Sequence, residues 1–81
     1  GDLEKAQQHF KSAIKLSDGA NLMAKVLYAE NYARMVFDQA LHDKLLKEAL
    51  QAETNANGLT LMNTVAKEKA TKLLETSADY F

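Results

Sequence analysis

Eighty-one residues with ten basic and eleven acidic side chains, a net charge of −1 and 47% apolar content make one small domain and exclude a disordered chain. The balanced charge supplies no field to draw nucleic acid or an anionic membrane, so neither is expected as a partner. With no cysteine there are no disulfides or thiolate metal sites, and with no proline and only Gly1, Gly19 and Gly58 as breakers the composition favours long helices over strands. The apolar runs are short and broken by charges such as Lys25 and Arg34, too short to span a bilayer. The opening GDLEKAQQHF lacks the basic start and apolar centre of a secretion signal.

Period and punctuation predict four helical stretches. The first covers residues 2–16, where Leu3, Ala6, Phe10, Ala13 and Ile14 recur at three- and four-residue steps as one apolar face. Ser17, Asp18 and Gly19 end it, Gly19 being suited to the left-handed position after a helix. The second covers residues 20–37. Leu22, Val26, Ala29, Ala33 and Val36 form one face, while Met23, Leu27, Tyr28, Tyr32, Met35 and Phe37 spread around the rest. A helix apolar nearly all round is expected to be covered on several sides, as the centre of the set or against a second chain or a ligand. Glu30 and Arg34, four apart, mark its solvated strip.

Asp38 suits the N-cap of a third helix reaching Ala52, with Leu41, Leu45, Leu46, Ala49 and Leu50 facing inward. No glycine or proline enforces that break, so one long bent helix is the alternative. Next comes a stretch with an EF-hand spacing: Glu53, Asn55, Asn57 and Gly58 fall at loop positions one, three, five and six. Calcium takes six to eight hard oxygens and a bidentate carboxylate at position twelve, where this chain has Thr64. With a single carboxylate the stretch reads as an inter-helix turn, since Asn and Gly accept positive φ. The fourth helix covers residues 60–79, with a buried stripe of Met62, Val65, Ala66, Ala70, Leu73 and Leu74 and Phe81 beyond its end. Short connections between four helices imply an antiparallel all-α array.

The residues carry no local catalytic signature. His9 and His42 lack a histidine or cysteine one turn away; Asp38, one turn before His42, is placed to orient an imidazole, but a surface or interface histidine beside a capping Asp outweighs a ligand or base. Asp43 with Lys47, Lys44 with Glu48, and Glu30 with Arg34 read as helix ion pairs rather than paired catalytic carboxylates. Neither a nucleophile elbow nor a phosphate-binding glycine loop occurs, and no cofactor or metal is expected. Met23, Tyr28, Tyr32, Met35 and Phe37 offer a ligand or partner surface, weighed against ordinary helix packing.

Gly1, Ala6, Phe10, Ala13, Ile14 and Leu16 fit the second helix of a tetratricopeptide repeat, in which small residues admit a close helix and an aromatic fills the gap beside it. Asp18 stands where that motif has proline. The preceding helix would lie before Gly1, so residues 1–81 read as the single C-terminal helical domain of a longer protein.

The remainder, YARMVFDQALHDKLLKEAL followed by NGLTLMNTVAKEKATKLLETSADYF, resembles the TRAP transporter T-component family. The most specific pieces are Tyr32-Ala33-Arg34, Phe37-Asp38 with Leu41 and Leu45, Leu61 with Asn63, and Leu73-Leu74 with Phe81. Lys72 departs from the family, which often has tryptophan there. The resemblance implies a tetratricopeptide-like fold in exported proteins, commonly periplasm-facing lipoproteins. It implies association with the substrate-binding protein of a tripartite ATP-independent periplasmic transporter, trimeric assembly and a path for an apolar ligand. The expectation is therefore a non-catalytic accessory scaffold. A generic tetratricopeptide adaptor that binds peptides and a small helical enzyme or metal protein are the alternatives.

Overall fold

The computed structural model describes residues 2–17, 21–52 and 60–81, and every regular element among them is helical. Helix α1 is Asp2–Leu16, α2 is Leu22–Leu27 continuing as a π-helical turn over Tyr28–Ala33, α3 is Gln39–Gln51, α4 is Thr60–Glu75 and α5 is Ser77–Tyr80. The all-α expectation holds. Gly1, Gly19 and the expected turn at Glu53, Asn55, Asn57 and Gly58 lie outside the described residues.

Helix α1 has acidic Asp2 and Glu4 in its first turn and Lys15 in its last, matching its dipole at both ends. Phe10 and Ile14 pack against the core, but no residue of the helix is fully buried, and Leu16 is 89% exposed. It covers α2 and the π turn from one side. Ser17 fastens its end: the hydroxyl donates to the Ile14 carbonyl and accepts from the Asn21 amide, both at 3.1 Å.

The start of α2 leaves backbone amides without helical partners. Asn21 accepts from Ala24 N–H at 3.3 Å, an ordinary N-cap. The Leu22 amide is served from elsewhere, by the Oδ1 of Asn63 on α4 at 3.1 Å. Leu22 and Asn63 are both fully buried, so the α2–α4 contact is pinned by a hydrogen bond inside the core.

The single helix expected over residues 20–37 is a composite. After Leu27 the backbone widens to i→i+5 pairing, as in Arg34 N–H to the Ala29 carbonyl at 3.2 Å, and it stops short of Phe37. The stop is a Schellman ending: Asp38 N–H reaches the Ala33 carbonyl at 2.8 Å and Phe37 N–H the Arg34 carbonyl at 3.2 Å. Phe37 takes the left-handed position between them, with φ 56°. Glycine fills this position without strain, whereas a residue with a Cβ is disfavoured by roughly 1–2 kcal/mol. Phe37→Gly is therefore expected to raise the unfolding midpoint in urea, stabilising the fold by about 1 kcal/mol. An unchanged or lower midpoint would show that the Phe37 ring contributes packing that outweighs the strain.

Asp38 then caps α3, its carboxylate accepting from Leu41 N–H at 3.0 Å, so the break between the second and third helices is real. Helix α3 turns His42, Leu45, Leu46 and Ala49 inward. On α4 the buried stripe is Asn63, Ala66, Ala70 and Leu73, continued by Ser77. Met62 and Val65, expected in it, are each 47% exposed, because the helix is turned to bring Asn63 to the start of α2. The fourth helix also ends earlier than its pattern suggests. Thr76 sits at φ −102°, its hydroxyl donating to the Lys72 carbonyl at 3.2 Å, a side-chain bond that competes with helix propagation.

The core lies where α2, the π turn, α3 and α4 meet, around Leu22, Val26, Tyr28, Leu45, Leu46 and Leu73. Ala29, Ala33, Ala49, Ala66 and Ala70 are all fully buried, and their small side chains let the helices approach closely. Of the helix ion pairs expected from spacing, Lys47 still acts on Asp43, while Glu30 and Glu48 turn to lysines of other helices. Lys69 of α4 meets Glu30 at 3.1 Å and Lys25 meets Glu48 at 3.9 Å, which frees Arg34 for another partner. Both pairs are partly solvated and contribute little to stability.

Candidate functional site

That other partner is His42. Arg34 leaves the π turn on its last residues and points its Nε–H at His42 Nε2, 3.1 Å away. The Arg34 Nη2 donates to the Leu73 carbonyl at 3.4 Å. His42 is wholly buried, and its Nδ1 lies 2.8 Å from Asp43 Oδ1. The same carboxylate oxygen accepts from Ser77 Oγ at 2.7 Å, and Gln39 Nε2 reaches Ser77 Oγ at 3.4 Å. Guanidinium is always a donor, so His42 Nε2 must carry its lone pair and Nδ1 its proton. That tautomer donates to Asp43, and the chain of bonds is consistent from end to end.

Two rings close the cluster. Tyr80 lies over the Arg34 guanidinium, 4.5 Å from its centroid, and Phe81 sets its edge to the His42 imidazole at 5.0 Å. Tyr80 and Phe81 are themselves edge-to-face at 5.3 Å. The π turn, α3, α4 and α5 are thus tied at one corner by a single polar network under aromatic cover.

Burial raises the Asp43 pKa, but the hydrogen bonds from His42 and Ser77, helped by nearby Lys47, outweigh it and leave the carboxyl below its ordinary 3.8. A depressed carboxylate stabilises the fold above its unfolded value and loses that contribution as pH falls through the folded one. The loss should therefore fall below pH 3.8. In Asp43→Asn this part of the acid sensitivity is expected to vanish: the stability gap between wild type and variant, measured in urea, should narrow as the pH drops through that range. A gap independent of pH would mean that Asp43 is not held ionised by its neighbours.

The cluster ties the segment after the π turn to α3, α4 and α5. Both imidazole nitrogens are occupied, Ser77 faces the carboxylate instead of the imidazole, and no buried side-chain polar atom among the described residues lacks a partner. Asp38 caps the helix as expected, but the surface or interface histidine expected beside it is wholly buried, and Asp43, not Asp38, orients its imidazole. No group of three or more His, Asp or Glu among the described residues could hold a metal ion. His9 stands exposed on α1 with Lys5, Gln8 and Ser12 around an open concavity of about 250 Å³, which none of the apolar set proposed for ligand or partner lines.

The structure divides that set. Tyr28 is 4% exposed and belongs to the core: its ring stacks on Phe10 at 5.5 Å and 8°, and its hydroxyl accepts from Gln7 Nε2 at 3.0 Å. Tyr32 is half-buried, edge-on to Tyr28 at 5.5 Å, and Met23 is half-buried against the same core. Met35 and Phe37, by contrast, are 62% and 75% exposed on the turn that follows, with Val36 between them. Of the repeat-like packing residues, Phe10 and Ile14 touch the core, Ala6 and Ala13 are half-buried, and Gly1 is outside the described residues.

Sequence reasoning missed the network around His42 and the buried Asn63. One signal was present for both. His42 precedes Leu45, Leu46 and Ala49 at inward spacing, and Asn63 precedes Ala66, Ala70 and Leu73. A polar residue at an inward position is a buried residue in need of a partner.

Fold and site together define an all-α scaffold in which the notable polar side chains join helices, and none of its described helices is long and apolar enough to cross a membrane. The model of the TRAP transporter T-component family matches residues 1–81, the whole of this chain. The chain belongs to that family and is a component of a TRAP transport system. Comparison with curated proteins and with solved structures finds no match. Several residues that carry the resemblance have structural roles. Ala33 is wholly buried, Arg34 and Phe81 meet at His42, Asp38 caps α3, Asn63 caps α2, and Leu73 accepts from Arg34.

Proposed function

We propose that the chain is a non-catalytic docking scaffold of its transport system and that it binds the system's substrate-binding protein through the corner formed by Met35, Val36 and Phe37. The observation that carries this is Phe37. A large ring 75% exposed, on a backbone held at positive φ, costs stability and adds no burial in the chain by itself. Strain of this kind collects at functional positions, and exposed Met and Phe side by side suit the apolar centre of an interface. Tyr80, 48% exposed across Arg34, extends the same corner.

No apolar ligand enters this proposal, because Tyr28 and Tyr32 set their rings against Phe10 and each other. A periplasm-facing location, lipoprotein anchoring, trimeric assembly and tetratricopeptide-like architecture accompany the proposal on the strength of the resemblance. In a binding titration with the folded substrate-binding protein, Met35→Ala and Phe37→Ala are each expected to weaken the Kd by about tenfold, the scale of a central apolar contact. Full binding by both folded variants would refute the assignment. Recovery of an extended peptide in place of the folded protein would favour the adaptor reading.

A further inference from the structure

We propose that Arg34, His42 and Asp43 form a proton-operated latch for the C-terminal residues, which opens when His42 takes a second proton. In the closed arrangement His42 Nε2 is an acceptor, and among the described residues its bond is from Arg34 Nε–H at 3.1 Å. A proton on Nε2 would set two N–H groups and two positive charges against each other over that distance. One of them has to leave. Asp43 decides which: its carboxylate, 2.8 Å from Nδ1, becomes the counter-ion of the imidazolium and holds it in place. Arg34 is only half-buried and has a long flexible stem, so Arg34 departs.

Its departure has defined effects. The Nη2 bond to the Leu73 carbonyl breaks, and the cation beneath the Tyr80 ring is withdrawn. Phe81 keeps its edge contact with His42, but its neighbour Tyr80 loses its platform. Helix α5 is then held chiefly by Ser77, through Asp43 and Gln39.

The groups around the imidazole allow this response. On α3 they are Asp43 beside the ring, Lys47 acting on Asp43, and Asp38, whose carboxylate is engaged with Leu41 N–H. The turn after the π helix brings Arg34, while Glu30 before it is paired with Lys69 of α4. Helix α4 otherwise offers the Leu73 carbonyl, and α5 brings Ser77, Tyr80 and the exposed Asp79. Asp43 is the one carboxylate hydrogen-bonded to the ring, and its depressed pKa keeps it charged when His42 gains its proton. The latch rests on contacts within the chain and is tested on the chain alone, without a docked partner.

The experiment follows the imidazole nitrogens, the Arg34 Nε–H and the Tyr80 ring by NMR between about pH 8 and about pH 5, the range in which histidine changes charge. At the upper end Nδ1 should be protonated, Nε2 bare, and Arg34 Nε–H slow to exchange relative to free arginine. Once both nitrogens are protonated, that protection is expected to fall about tenfold, the scale of one lost hydrogen bond. The Tyr80 signals should move toward those of Arg34→Met, which lacks the cation at every pH. His42→Gln offers an acceptor to Arg34 and a donor to Asp43 without titrating, and should keep Arg34 protected throughout. The proposal fails if Arg34 stays protected beside a doubly protonated His42, or if His42 gains no second proton before the chain unfolds. A neutral imidazole protonated on Nε2, or the same acid response in His42→Gln, would overturn it equally.

Discussion

Replacing His42 by alanine is expected to lower the stability of the fold by about 3 kcal/mol, more than its size alone would suggest. The side chain is wholly buried beside Leu45 and Leu46, so truncation leaves a space the helices must partly fill. It also removes the group that links Arg34 to Asp43, leaving a guanidinium and a carboxylate in a partly dry corner without the imidazole that each bonds. For a chain this short the change corresponds to a drop in Tm of roughly 15 °C, readable by thermal melting of helical circular dichroism. His42→Gln, which offers both bonds again, should recover much of the loss. If alanine and glutamine melt together, the network contributes nothing beyond volume.

Asn63→Ala is the second large effect, expected to cost about 2 kcal/mol. The Leu22 amide would be left in the core with no acceptor, because its partner comes from α4 and water has no access to a wholly buried pair. Asn21→Ala, at the same helix end, is the internal control. It removes a half-buried cap of the ordinary kind and should cost about 1 kcal/mol, since solvent can take its place. Urea unfolding of both variants decides the matter. Equal losses would mean that the bond from α4 is worth no more than a local cap.

Much of the fold was legible because the helices announce themselves. The Asp38 cap, the inward run of α3 and the apolar face of α1 are all local patterns, and local patterns survive translation into structure. What was not legible depended on partners far along the chain. Glu30 and Arg34 make a favourable pair by spacing, yet each found a better partner 39 and 8 residues away, in Lys69 and His42. Ala66, Ala70 and Leu73 are buried as expected, but the start of the α4 stripe was misread because hydrophobicity favours Met62 and Val65 over Asn63. The need of the Leu22 amide, 41 residues distant, decided otherwise. At the candidate site, apolar composition alone could not separate Tyr28, which fills the core, from Phe37, which faces solvent. That distinction arises from where the helix ends, and no glycine marks the place.

The widened turn over Tyr28–Ala33 marks where the chain can change length. A π turn holds a residue more than an α-helical path of the same reach would need. Removing one residue there would let the backbone settle into ordinary α geometry, a locally favourable change. Because the two paths have the same reach, the chain after the turn would keep its register, with Arg34 facing His42 and Asp38 at the head of α3. The same deletion in the regular helix α3 would instead rotate everything after it by about 100°. Related chains aligned at the widened turn with a one-residue gap should therefore keep the arginine–histidine pair.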